Sequence, residues 1–168
     1  ATTGALTKVG AGTLTLSGAN AYTGLTTVNT GTLAYGASSV ISTGAVTVDG
    51  ATAVLALGAS QSDSVGTVTV ANGGSITGTG TSTLTSTGTF EMQSGSVSAI
   101  LAGAVALNKT TGGTVTLSGV NTYTGVTTIN AGTLSVATIG NGGVAGNLGQ
   151  ATSAAGNLVL GGGTLQYT

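Results

Sequence analysis

Residues 16–33 read LSGANAYTGLTTVNTGTL, and residues 117–134 read LSGVNTYTGVTTINAGTL. The changes between them are mild: Leu25 is answered by Val126, and Val28 by Ile129. Working outward, the likeness runs without a gap over residues 6–33 and 107–134, and Lys8 falls on Lys109. Within each unit Leu or Val alternates with Thr or Ser, and Gly or Asn bounds each run. A period of two places one set of side chains on each face of a strand. A chain that writes such a unit twice describes a structural repeat. One unit cannot bury its own apolar face and must stack on a neighbour.

The same alternation recurs in GTLTLSG (12–18), GTLAYG (31–36), GAVTVDG (44–50), GTVTVANG (66–73), GTVTLSG (113–119), GTLSVAT (132–138) and NLVLGG (157–162). It predicts that Leu14, Leu16, Val28, Leu33, Val46, Val48, Leu55, Leu57, Val68, Val70, Val115, Leu117, Ile129, Leu134, Leu158 and Leu160 face inward, with the intervening threonines facing water. No stretch carries a 3.6-residue period. The best helical candidate is LGQATSAAG (148–156), a turn or two at most. The chain is therefore all-β, with short strands and glycine-rich corners. A sandwich leans on aromatic plugs and proline turns, and one Phe with no Trp or Pro is thin for that. Long self-similarity favours a β-solenoid. The expected organisation is a single domain, 1–168, with repeat units 6–33 and 107–134, divergent coils over 34–106 and a tail coil over 135–168.

Composition excludes several function classes. Charged residues are 3% of the 168-residue chain, against roughly 25% in ordinary soluble domains. They are Lys8, Asp49, Asp63, Glu91 and Lys109, with no Arg, His or Cys. Two separated lysines cannot form the basic cluster that phosphate backbones require, so nucleic acid is not an expected partner. Without His or Cys there is no Ser-His-Asp or Cys-His nucleophile and no His- or Cys-held metal. Mean hydropathy is +0.49, yet no apolar run reaches the ~18 residues of a membrane-spanning helix, and direct membrane insertion is not expected. No charged and apolar leader opens the sequence, which suggests a removed signal or an excised piece.

Within the units, Gly18, Gly24, Gly31, Gly119, Gly125 and Gly132 are read as corners that permit positive φ. Asn20, Asn121, Asn29 and Asn130 are read as corner residues that bond local backbone and tolerate the left-handed region. Tyr22 and Tyr123 share one position. They are read as corner anchors with the ring over the turn and the hydroxyl in water; the other reading is a ladder of glycan-stacking aromatics. Tyr35 and Tyr167 are placed inward or at a coil end. The core of the two units is Leu14, Leu16, Val28, Leu33, Val115, Leu117, Ile129 and Leu134.

The segments GAGTLTLSGANAYTGLTTVNTGTL (10–33) and TGGTVTLSGVNTYTGVTTINAGTL (111–134) resemble the passenger-associated transport repeat of bacterial autotransporters, also called the autotransporter-associated β-strand repeat. The tail NGGVAGNLGQATSAAGNLVLGGGTLQYT (141–168) is similar to the segment that commonly follows such a repeat. The resemblance implies a right-handed parallel β-helix in a secreted or surface-displayed protein, often followed by an outer-membrane β-barrel. No barrel is present in these 168 residues, so a passenger fragment and a short protein with another use for the repeat both stay open.

Other signals reduce to structure. A glycosidase needs two carboxylates; Asp49 precedes Gly50 in a turn signature, Asp63 lies in a polar corner, and Glu91 should point outward, so all three are read as surface or turn residues. GNGGVA (140–145) lacks both a βαβ setting and a following acid, and the GGG and GNGG stretches lack the Asp that calcium-binding repeats need. Asn108-Lys109-Thr110 is a glycosylation triplet of little weight in a bacterial setting. Rows of TxT (13–15, 67–69, 77–79, 81–83, 83–85, 114–116) on a flat solenoid face can order water and bind ice, but their irregular spacing speaks against a row in register.

The reading that follows is structural, with no enzyme activity and no cofactor or metal. The chain is a β-solenoid segment or subunit of an extracellular or cell-surface bacterial fibre. Its partners are further copies stacked head to tail, or neighbouring repeats of a longer chain. The alternative is a passenger fragment whose side presents an adhesive surface to glycans.

Overall fold

The computed structural model describes residues 3–168; the first two residues of the expected 1–168 domain lie outside the described residues. The described residues form nineteen strands and no helix. Eight strands make the first long sheet: β1 (Leu6–Lys8), β3 (Thr26–Val28), β5 (Val46–Asp49), β8 (Val68–Ala71), β11 (Phe90–Met92), β14 (Leu107–Lys109), β16 (Thr127–Ile129) and β18 (Leu158–Leu160). Eight more make the second: β2 (Thr13–Leu16), β4 (Gly31–Tyr35), β6 (Ala53–Ala59), β9 (Gly74–Thr79), β12 (Gly95–Val97), β15 (Thr114–Leu117), β17 (Thr133–Val136) and β19 (Thr164–Tyr167). A short third sheet of β7 (Ser62–Val65), β10 (Thr83–Ser86) and β13 (Ile100–Ala102) closes the middle rungs.

Every strand pairs in parallel with the strand one coil away, as Leu6–Thr26 and Leu14–Leu33 illustrate. The chain is a parallel β-solenoid, in which each coil supplies one strand to each long sheet. The repeat unit therefore writes two successive coils. β1 and β2 belong to one, and β3 and β4 lie directly on them.

Alternation sets the core as read. Val28, Leu33, Val46, Val48, Leu55, Leu57, Val68, Val70, Val115, Leu117, Ile129 and Leu134 are all fully buried. Four of the sixteen residues predicted to face inward differ. Leu14 is 37% exposed and Leu16 half-buried, while Leu158 and Leu160 are exposed. Their alternation is correct, but they sit in the first and last rungs, where no further coil covers them. The helical candidate at 148–156 is also not helical; it forms turns in an excursion between β17 and β18. Small and β-branched residues with two glycines, Gly149 and Gly156, favour turns over a helix in this segment.

Candidate functional site: the joints between coils

In each unit the loop after β2 or β15 forms the third side of the coil and carries Gly18, Asn20, Tyr22 and Gly24, or Gly119, Asn121, Tyr123 and Gly125. Left-handed backbone occurs at Gly31 and Gly132 (φ 70° and 66°). It does not occur at Gly18, Gly24, Gly119 or Gly125, nor at Asn20, Asn29, Asn121 or Asn130, where the sequence suggested it; among the described residues the non-glycines that adopt it are Ser39, Ser60 and Asn72. Gly31 and Gly132 open the strand that lies on the preceding coil. A Cβ on Gly132 would sit 2.3 Å from the Gly113 carbonyl oxygen, so both conformation and contact demand glycine.

Asn121 is fully buried and bonds two neighbouring coils. Its Oδ1 accepts the Leu101 N–H at 2.9 Å, and its Nδ2 donates to the Asn147 carbonyl at 2.8 Å. Asn147 continues the pattern: its Oδ1 accepts the N–H groups of Ala137 and Thr138, and its Nδ2 donates to Gly119 O. At the equivalent position, Asn20 donates to Gly18 O and to Val40 O of the next coil (2.7 Å). These amides stand where the third side lacks a strand ladder. They supply the bonds that strand backbones supply elsewhere.

Asp63 does the same work at the other edge of the short sheet. It is 6% exposed, and its carboxylate accepts the N–H groups of Ile41 and Ser64, both at 2.8 Å. The reading of Asp63 as a solvated corner is thus corrected: its register partner is the inward Leu84, and the coil curls it into the core. Burial raises its pKa above the ordinary carboxylate range, while the N–H groups of Ile41 and Ser64 oppose the rise. Beside it the Tyr35 hydroxyl is buried next to the Asp63 carboxylate, and burial and the Asp63 charge push its pKa up.

The tyrosines are joints as well. The Tyr123 hydroxyl bonds Thr127 Oγ1 at 2.8 Å, and Tyr22 bonds Thr26 Oγ1 at 2.9 Å. Tyr123 is fully buried, with its ring 5.9 Å from that of Phe90. Its hydroxyl therefore does not reach water, and Thr26 and Thr127 face inward rather than outward. Each pair satisfies two hydroxyls inside an apolar core, which explains why the motif places Thr four residues after Tyr.

The two lysines were missed as joints. Both lie in the inward column Lys8–Val28–Val48–Val70–Met92–Lys109–Ile129–Leu160. Lys8 Nζ donates to the carbonyls of Val9, Gly10 and Thr30, and Lys109 Nζ to those of Thr111 and Ala131. Burial lowers the Lys109 pKa. The matching of Lys8 to Lys109 in sequence was the available signal, since an exposed lysine has no reason to hold one repeat position.

The remaining carboxylates are not brought together. Asp49 accepts from Asn72 and Glu91 from Asn108, each on an outward face. Among the described residues no group of three or more His, Cys, Asp or Glu is arranged to hold a metal. A shallow cleft of about 300 Å³ lies between the 139–155 excursion and Leu158 and contains no titratable side chain.

The described residues form a parallel β-solenoid whose polar motif residues bind one coil to the next. The family model of the passenger-associated-transport-repeat matches residues 6–34 and 107–136. The two matched segments cover about a third of the chain, and the match does not extend into the 141–168 tail. No curated protein and no solved structure matches.

Proposed function

We propose that the chain is a structural β-solenoid segment or subunit of an extracellular or cell-surface bacterial fibre, extended by head-to-tail stacking of strands and without catalytic activity. The observation that carries this reading is the use of the polar side chains. Asn20, Asn121, Asn147, Asp63, Tyr22, Tyr123, Lys8 and Lys109 all bond the backbone or side chains of their own or adjacent coils. What remains outside is mostly hydroxyl and methyl. The test is electron microscopy of the purified chain, with a search for a ~4.8 Å axial repeat. Filaments with that repeat support the reading, and monodisperse short rods count against it.

A second reading treats the outward face as a binding surface. One observation favours it: Thr7, Thr27, Thr47 and Thr69 stand in register on consecutive rungs of the first long sheet. Loops absorb the irregular spacing that argued against such a row. Glu91 interrupts it on the next rung. For glycans the aromatic stripe is poor, since Tyr167 is the exposed tyrosine and Tyr35 and Tyr123 are buried. Thermal hysteresis and glycan-array binding would separate the water-ordering and glycan versions.

A further inference from the structure

We propose that Asn141–Gly142 is a site of spontaneous deamidation in the folded chain, converting Asn141 to a mixture of aspartate and isoaspartate. The same tripeptide at Asn72–Gly73–Gly74 is held unreactive by the coils on either side of it.

The reaction needs an asparagine followed by a residue whose backbone nitrogen can reach the side-chain carbonyl carbon. Glycine suits it best, since it has no Cβ to obstruct the approach. The glycine nitrogen gives up its proton to hydroxide and bonds to the asparagine Cγ. The side-chain amide leaves as ammonia, which closes a five-membered imide. Water then opens the ring at Cγ, giving aspartate, or at the backbone carbonyl carbon, giving isoaspartate. Water is the one co-reactant consumed. Two features of the fold set the rate: whether the glycine N–H is already bonded, and whether the asparagine side chain is free to turn onto it.

The chain writes this pair twice, as NGGS (72–75) and NGGV (141–144), so one local sequence occurs in two settings. The first is the turn between β8 and β9, stacked between coils. Gly73 N–H donates to Ser94 O at 3.3 Å and Ser94 Oγ at 3.2 Å in the following coil. Asn72 Nδ2 donates to Asp49 Oδ1 in the preceding coil at 2.6 Å. The turn also fixes Asn72 in the left-handed region, with φ 50°. Both reacting groups are engaged.

The second pair lies in residues 137–144, eight consecutive exposed residues of the excursion between β17 and β18. Val144 N–H donates to Asn141 O at 3.1 Å, and Gly143 N–H to Ala151 O at 2.7 Å. These bonds shape the turn but use neither the Gly142 N–H nor the Asn141 side chain, and neither group bonds elsewhere among the described residues. A Cβ on Gly142 would collide with Ser153 N, so packing keeps glycine at the reactive position. All these contacts lie within the excursion and need no coil beyond either end of the chain. Conversion has two effects. It puts a negative charge into 110–168, which carries none. As isoaspartate it also adds a backbone carbon to the segment leading to Asn147, whose amide bonds Gly119, Ala137 and Thr138.

The experiment ages the purified 168-residue chain in mildly alkaline buffer and follows both sites by peptide mapping with mass spectrometry. In the folded chain Asn141 should convert at least about tenfold faster than Asn72, whose bonds must open first. In concentrated urea the two rates should converge, because the local sequence is the same. Asn141→Gln should remove the acidic form that accumulates on isoelectric focusing. Equal rates in the folded chain, or a faster Asn72, would overturn the proposal. So would an Asn141 that converts in urea but stays intact in the folded chain.

Discussion

Asn121→Ala is the sharpest test of the role assigned to the buried amides. The substitution removes the acceptor of the Leu101 N–H and the donor to the Asn147 carbonyl. Both backbone groups are left in a site where Asn121 itself is fully buried, so water does not replace the lost partner. An orphaned buried group costs about 1–3 kcal/mol, so the pair sums to about 2–6 kcal/mol. Asn20→Ala is the same change at the same repeat position. Its bonds to Gly18 O and Val40 O are exposed and part-buried, so water takes over much of the load. About 0.5–1.5 kcal/mol per net bond gives roughly 1–3 kcal/mol there. At this chain length each kcal/mol moves Tm by about 2–4 °C. Asn121→Ala should therefore lower Tm by roughly 12 °C at mid-range, and Asn20→Ala by roughly half that or less. Thermal unfolding followed by circular dichroism measures both. Hydrogen exchange adds a local readout, because the Leu101 amide should lose protection in Asn121→Ala alone. Equal losses of Tm, with Leu101 still protected, would refute the claim that this amide replaces a strand ladder.

The other predictions use the same internal comparison. Gly119→Ala drives a Cβ to 2.4 Å from the Ala99 carbonyl oxygen, whereas Gly18→Ala meets nothing within 4 Å. Urea midpoints should show a loss of about 1–3 kcal/mol for the first and under about 0.5 kcal/mol for the second. Tyr123→Phe strands Thr127 Oγ1 in the core and should cost about 1–3 kcal/mol. Tyr123→Phe/Thr127→Val removes both partners of that bond and should be more stable than the single variant, which differential scanning calorimetry would show. Asp63 has a folded-state pKa raised from 3.8 by burial, so the folded protein holds that proton more tightly than the unfolded chain. Its contribution to stability is complete below pH ~3.8 and is lost as pH rises through the folded pKa. Asp63→Asn should abolish that acid-range fall in urea midpoint; an unchanged slope would show that another group sets it. Lys109 has a lowered pKa, so its contribution runs the other way, with stability rising with alkaline pH between its folded and unfolded values.

Much of the fold is legible in local pattern. Each of the seven quoted alternating stretches contains a strand, and twelve of the sixteen residues predicted inward are buried, because strand periodicity is a property of consecutive residues. The departures have definite causes. Leu14, Leu16, Leu158 and Leu160 alternate correctly, but the end rungs have no neighbour on one side. Thr26 and Thr127 look like outward residues until the loop before them brings a tyrosine hydroxyl within 2.9 Å and 2.8 Å. Asp63 reads as a polar corner because nothing in SQSDS announces that its neighbours in space are Ile41 N–H and the Tyr35 ring side of the core. Asn147 lies within the excursion between β17 and β18, and its bonds to Gly119, Ala137 and Thr138 exist only once that excursion folds back.

Sequence by itself determined the class of the molecule: strands from the period of two, stacking from the duplicated unit, and a nearly uncharged exterior from composition. These follow from near neighbours along the chain and from totals, which need no coordinates. Tertiary structure decided the roles of the polar residues. The same letter, Asn at 20 and at 121 or Gly at 18 and at 119, carries a small load or a large one according to whether another coil lies against it. Contact between coils joins residues about twenty positions apart, as Leu101 N–H and Asn121 Oδ1 are, and depends on loop lengths that no local pattern reports.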